Sequence, residues 1–173
     1  MALTPKRASE SATEMVQVVL PNDANPLGFI LGGTVMHLID IAGAIACHRH
    51  TRSRVVTAAV DDLQFLHSIK VGDLIILKAR VTCAFTTSLE TQVDVYSEET
   101  LTGERRLTSR AFLTFVAIGA DGGRIPVAPL VLETDDERRV AEAARERRAA
   151  RQPRTAAERR AERREALRPR PAP

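Results

Sequence analysis

Between Gly33 and Cys47 apolar side chains fall on nearly every side of a helical projection, whereas after Arg49 the hydrophobic repeat shortens to two. The first pattern predicts a helix enclosed by the rest of a domain. The second is clearest in SLETQVDVYSE, where Leu89, Thr91, Val93 and Val95 share one face and Glu90, Gln92, Asp94 and Tyr96 the other. Asp73 to Phe85 alternates in the same way, leaving only Thr86 and Thr87 for a tight turn between two long strands. Val55 to Phe65 and Leu107 to Ile118 are two more apolar, β-branched segments, set off by Gly72 and the Gly103 turn, and Glu14 to Leu20 is a fifth strand. One strand, one helix and four consecutive strands give an α+β domain in which a curved antiparallel sheet wraps one long central helix. The sheet's other face is expected to stay wet, and its edges to be open to a second subunit.

A chain of 173 residues suits one domain with an appendage. We place the domain at 10–120 and a connector, marked by Pro126 and Pro129, at 121–133. A charged C-terminal helix follows at 134–152, started by the capping pair Thr134 and Glu137. An Arg/Pro-rich tail at 153–173 is expected to be mobile, with Thr155 and Glu158 as a further helix start. From Glu133 onward there are 13 arginines and 9 acidic residues, which leaves 12 basic and 13 acidic before it. The domain is thus nearly neutral, and a nucleic-acid partner is not expected. Two cysteines and a first stretch, MALTPKRASE, without an apolar centre point to a reducing, cytoplasmic setting. Leu27 to Cys47 is long enough to cross a bilayer, but His37 and Asp40 interrupt it, and a carboxylate at midspan costs about 2.5 to 3.5 kcal/mol. No membrane span is expected.

Asp40 stands out because Ile39, Ile41, Ala42, Ala44, Ile45 and Ala46 surround it with apolar helix. Either a loop backbone satisfies the carboxylate as a structural brace, or the helix faces a cleft there and the carboxylate activates water. Gly32 and Gly33 place bare backbone N–H groups at the positive end of the helix, where a carbonyl oxygen can be received; tight helix packing is the other explanation of two glycines. Seven residues separate Gly33 from Asp40, about two turns, so both lie on one side. Asn25, within PNDANPLG, is either a turn residue or an amide that positions a water by donating and accepting. His37 is a candidate base or Asp40 partner, and equally a histidine at a helix edge. Cys47, His48 and His50 have no second cluster to complete a metal site, and neither a G-x-S-x-G elbow, a phosphate loop nor a dinucleotide fingerprint occurs. Neither a metal nor a resident cofactor is expected.

The series NPLGFILGGTVMHLID, VVTAAVDDLQF, VGD, TTSLETQVDVYSEE, LTGERRL and AFLTFVAI resembles the acyl-CoA hydrolase branch of hotdog thioesterases, which includes YciA-like and brain-type cytosolic enzymes. The resemblance extends from about Glu14 to Arg151. It implies hydrolysis of acyl-CoA to free acid and coenzyme A, in a homodimer that relatives often assemble into a trimer of dimers. It implies catalytic roles for Asn25 and Asp40, contributed by opposite subunits, and a carbonyl-polarising role for the backbone at Gly32 and Gly33. Coenzyme A, as part of the substrate, is implied to contact Ala58, Ala59 and Val60, then Thr87, Ser88 and Leu89, with Ser88 on a phosphate and Arg148 assisting. Leu31 departs from relatives that carry His or Phe before the two glycines, which bears on acyl-chain length. Two other functions are compatible with such a pocket: a non-catalytic acyl-CoA sensor, and a hotdog dehydratase or hydratase.

Overall fold

The structure, a computed structural model, describes residues 3–151; the tail at 153–173 and its further helix start lie outside the described residues. In chain order the elements are β1 (Lys6–Arg7), β2 (Thr13–Val18), α1 (Gly32–Thr51), β3 (Arg54–Phe65), β4 (Leu74–Ala84), β5 (Ser88–Glu98), β6 (Arg105–Ile118), β7 (Leu130–Val131) and α2 (Asp135–Arg151). Five strands make one antiparallel sheet in the order β2-β4-β5-β6-β3, and β1 pairs parallel with β7. Every strand expected from the two-residue repeat is present, and β5 spans the SLETQVDVYSE segment itself.

The sheet curls around α1. Val35, Leu38, Ile39, Ala42, Ala46 and Cys47 recur at helical spacing and pack on the alternate residues Ile75, Leu77, Leu113 and Phe115 of the sheet. Each large side chain buried here contributes about 1.5 to 3 kcal/mol. Gly43 sets the closeness of this packing, since a Cβ there would lie 3.0 Å from the Phe115 ring and 3.1 Å from Thr91 Oγ1.

Two expectations are corrected. The chain encloses only one side of α1: Gly33, Met36 and His37 are exposed, and Asp40, Ile41, Ala44 and Ile45 are half-buried. An apolar circumference signals burial without saying that one chain supplies all of it. Nor is the outer sheet face wet throughout: α2 covers part of it, where Thr82, Glu90 and Thr114 are buried, while Lys78 and Arg110 stay exposed. Its contact is made by two buried alanines, Ala141 and Ala144, together with arginines that pair with the sheet, rather than by a stripe of large apolar residues. The capping pair is formed as expected: Glu137 N–H donates to Thr134 Oγ1 at 3.1 Å, and Glu137 Oε2 accepts from Thr134 N–H at 3.3 Å. Among the described residues no helix is long and apolar enough to cross a membrane.

Candidate active site

Asp40 sits on the open side of α1, half-buried, where it meets the edge strand β3. Its Oδ1 accepts a hydrogen bond from the Thr57 hydroxyl at 2.6 Å, and no other described group bonds the carboxylate. The loop-backbone brace considered for Asp40 is thus not what the fold builds. Thr57 was not singled out from the sequence, where it is one more β-branched residue of a strand.

Two turns earlier on the same helix, Leu31 occupies the N-cap position without a side-chain cap, so the first N–H groups are left to an outside acceptor. Nothing would lie within 4 Å of a Cβ built on Gly33, whereas on Gly32 it would touch the Phe65 ring at 3.6 Å. Space beside the helix start is therefore open at Gly33 and bounded by Phe65 at Gly32. A carbonyl oxygen seated there gains both the N–H and the helix dipole.

Asn25 shapes the loop that leads into α1. Its Oδ1 accepts from the N–H groups of Leu27 at 3.0 Å and Phe29 at 3.3 Å, its own N–H donates to the Phe29 carbonyl at 2.8 Å, and Gly28 turns the chain at φ +80°. With Oδ1 committed to two donors, only the NH₂ group remains for other work, and no described residue accepts from it. The amide can donate to a water or ligand but not accept from one, which narrows the role expected of it. Asn25 and Asp40 share no hydrogen bond within the chain. His37 is exposed and bonds no described residue.

The remaining expected contacts converge, with two exceptions, on a groove of about 260 Å³ at the outer side of β3, lined by Ala58, Ala59, Thr87, Ser88 and Arg148 among others. Ladder pairing explains the opening: Thr57 pairs with Phe115 and Ala59 with Thr114, so Ala58 is an extra residue that bulges the strand. Arg148 Nη1 donates to Ser88 Oγ at 2.9 Å, and its guanidinium stacks 4.2 Å over the Phe85 ring. Val60 is one exception: it is exposed but does not line the groove, and it pairs with the core-facing Leu113. Leu89 is the other: it is wholly buried in the core, because its position in the alternation of β5 turns it toward α1, and its side chain cannot reach a ligand. The sequence reading also missed Arg124, Arg151 and Thr114, which line the same groove.

The cysteines and the histidine that followed Asp40 in the sequence are otherwise engaged. Burial pushes the Cys47 thiol well up from its ordinary range and raises that of Cys83. His50 is buried with Nε2 on the Ala128 carbonyl at 2.8 Å, so the proton is on Nε2 and Nδ1 is a bare, unpartnered acceptor. Burial, and then the nearby Lys6 charge, lower its pKa from 6.5 more than the bond to Ala128 raises it.

The thioesterase superfamily model matches residues 27–104. YkhA of Bacillus subtilis, named as an uncharacterized acyl-CoA thioester hydrolase, is 39% identical over 128 residues, 74% of each chain. A crystal structure of an apo-hexameric acyl-CoA thioesterase superposes with a TM-score of 0.83 at 38% identity, covering 96% of this chain and 100% of that one. The acyl-CoA hydrolase of Staphylococcus aureus, in complex with butyryl coenzyme A, coenzyme A and coenzyme A disulfide, gives a TM-score of 0.80 at 32% identity over 94% of this chain and 96% of that one. Alanine variants of one asparagine, one aspartate and one threonine of that enzyme have been characterised structurally and biochemically, and those positions are separated by the same intervals as Asn25, Asp40 and Thr57 here. By its overlap with such relatives, and by the curled sheet around α1, the chain belongs to the thioesterase superfamily of the hotdog fold.

Proposed function

We propose that the chain is an acyl-CoA thioesterase that hydrolyses acyl-CoA to free carboxylic acid and coenzyme A. One observation carries the reading: a half-open carboxylate, Asp40, held by a single hydroxyl two turns from the uncapped amides of the same helix. These groups can polarise a thioester carbonyl and present water, or the carboxylate itself, to its carbon. The Gly33 N–H receives the carbonyl oxygen. The Thr57 hydroxyl fixes the rotamer of Asp40 and leaves its second oxygen free. If Asp40 acts as base, it takes a proton as the water oxygen bonds to the carbonyl carbon; the C–S bond then breaks and the thiolate leaves with a proton as coenzyme A. If it acts as nucleophile, an anhydride forms first and water opens it.

The Asn25 amide, donating through its NH₂ group, orients the water from the second subunit. An interface that includes β3 fits this arrangement: the strand is a twelve-residue open edge with Val56, Val60 and Phe65 about half exposed, next to the apolar open side of α1. A homodimer then holds two equivalent sites, and the hexameric relative supports a trimer of dimers. We place the enzyme in the cytoplasm, where reduced cysteines such as Cys47 and Cys83 persist.

Asp40→Asn and Asn25→Ala are expected to lower kcat by about a hundredfold or more with the fold intact. Near-normal turnover of every acyl-CoA by both variants would refute the assignment. Single-turnover hydrolysis in oxygen-18 water separates the two chemistries, since label entering the protein carboxylate identifies the nucleophile.

A further inference from the structure

The oxyanion end of the candidate site has room for a second donor. The first N–H groups of α1 have no intrahelical acceptor, and Leu31 at the N-cap brings no polar side chain to them. A thioester carbonyl oxygen seated at Gly33 meets such an N–H with one lone pair and has another to spare. It then takes on negative charge as its carbon is attacked, so a further donor there acts on the transition state more than on the bound substrate. The large neighbours Leu31, Met36 and Phe65 are about half exposed and wholly apolar, and have no proton to give.

His37 has one. At about 100° per residue, Gly33, His37 and Asp40 fall within an arc of about 60° on the open side of α1, with His37 roughly 6 Å along the axis from Gly33. A helical side chain leans toward the N-terminus and covers the turn before its own Cα, which for His37 is the turn of Gly33. Space is free on that turn, since nothing lies within 4 Å of a Cβ built on Gly33. The imidazole is also unspent. His37 is exposed and bonds no described residue, and Asp40 takes its hydrogen bond from Thr57 instead. His48 and His50, by contrast, are held by the carbonyls of Ser53 and Ala128. Thr34, the other polar side chain of this turn, is half-buried and stands more than a quarter-turn from Gly33. We propose that His37 is a catalytic residue that donates an imidazole N–H to the thioester carbonyl oxygen beside the Gly33 N–H. The role is the same whether Asp40 serves as base or nucleophile: the C=O electron pair moves onto oxygen as the attacking oxygen bonds to carbon, and returns as the C–S bond breaks. His37 keeps its proton throughout, and either neutral tautomer or the imidazolium has an N–H to offer. The proposal rests on the acyl-CoA reading above and adds to it a donor from the side chains of α1.

The test uses the full-length chain as wild type, His37→Ala and His37→Gln. With one acyl-CoA, His37→Ala is expected to lower kcat about a hundredfold while KM changes by less than about threefold, as for loss of one oxyanion donor. His37→Gln keeps an N–H of similar reach and should recover most of that loss. Melting temperatures of all three should agree within a few degrees, because the side chain is exposed and unbonded. A second measurement needs no turnover. The coenzyme A ketone in which a methylene replaces the thioester sulfur, labelled with carbon-13 at the carbonyl, is bound and its C=O stretch recorded in the infrared. Wild type and His37→Gln are expected to draw that stretch to lower frequency than His37→Ala does. Unchanged kcat in His37→Ala, equal damage by alanine and glutamine, a loss confined to KM, or one stretch frequency for wild type and His37→Ala would each overturn the proposal. Should wild type hydrolyse no acyl-CoA, the acyl-CoA reading falls instead, and the ketone decides the donor separately. A lower stretch in wild type than in His37→Ala upholds it; equal stretches, or no binding to either protein, remove it.

Discussion

The two faces of the sheet hold acidic side chains in opposite ways. On the outer face Glu90 is fully buried, and its carboxylate accepts from Arg147 at 3.0 and 2.7 Å and from the Thr82 hydroxyl at 3.0 Å, with the Arg147 guanidinium stacked 3.8 Å over the Phe112 ring. The carboxylate in turn raises the Arg147 pKa above its ordinary value, chiefly by hydrogen bonding. Asp61 is matched in the same manner by Arg151 and Thr114. On the inner face Asp40 has one hydroxyl and an open flank. The difference teaches which acids to suspect of chemistry: the outer ones have spent their lone pairs on docking α2, and Asp40 keeps one oxygen for a visitor.

That contrast breaks most visibly at Glu90. Glu90→Ala leaves Arg147 without its partner, and the expected loss is about 2 to 3 kcal/mol in urea unfolding, at or below the usual range for a broken buried pair because Arg147 still reaches water. Its kcat should hold while KM for acyl-CoA rises, since α2 carries Arg148 into the groove. A collapse of kcat at unchanged stability would erase the distinction between the faces. Thr57→Val sharpens it from the other side, with kcat expected to fall about tenfold as the hydrogen bond to a charged group is lost. Melting temperature should shift by only a few degrees, and Thr57→Ser should retain most activity.

The smallest effect belongs to a third acid–base group, buried His50 at the end of α1. Because its folded pKa is lowered, the unfolded chain binds a proton that the folded one resists once pH falls below about 6.5. Stability contributed by neutral His50 is therefore present above that pH and is lost by about 1 kcal/mol per pH unit down to the folded value. His50→Gln, which keeps a donor for the Ala128 carbonyl, should unfold with a flatter dependence between pH 5 and 7. Parallel pH curves for the two proteins would show that Nδ1 stays neutral for no energetic reason.

Much of this was legible in the sequence, for physical reasons that also mark where legibility stopped. Alternation along β5, and along β4 from Ile75 to Val81, follows from one face meeting α1, and so these residues could be sorted by eye; the shift between Val81 and Cys83, which takes Cys83 out of that core face, left no mark in the pattern. Asp40 was conspicuous because a charge within apolar helix is costly, and the two glycines because nothing else leaves the helix start so bare. Thr57, Asp61 and Arg124 were not legible. Each gains its meaning from a partner or a cavity far along the chain, and β3 does not keep a constant two-residue period. The docking of α2 was missed because alanine and paired arginine leave no hydrophobic stripe to detect.

The irregularity of β3 reaches further than the groove it opens. Thr57 and Asp61 are four apart, so in an evenly pleated strand both would project toward the helix; β3 instead carries two register shifts, one at Ala58 and one at Asp61 itself, and Thr57 meets Asp40 while Asp61 meets Arg151. Anyone transplanting this segment into another scaffold, or trimming it by deletion scanning, must count residues rather than match hydrophobicity. Removing Ala58 would leave the composition almost untouched and detach either the hydroxyl that holds Asp40 or the anchor of the last helical turn.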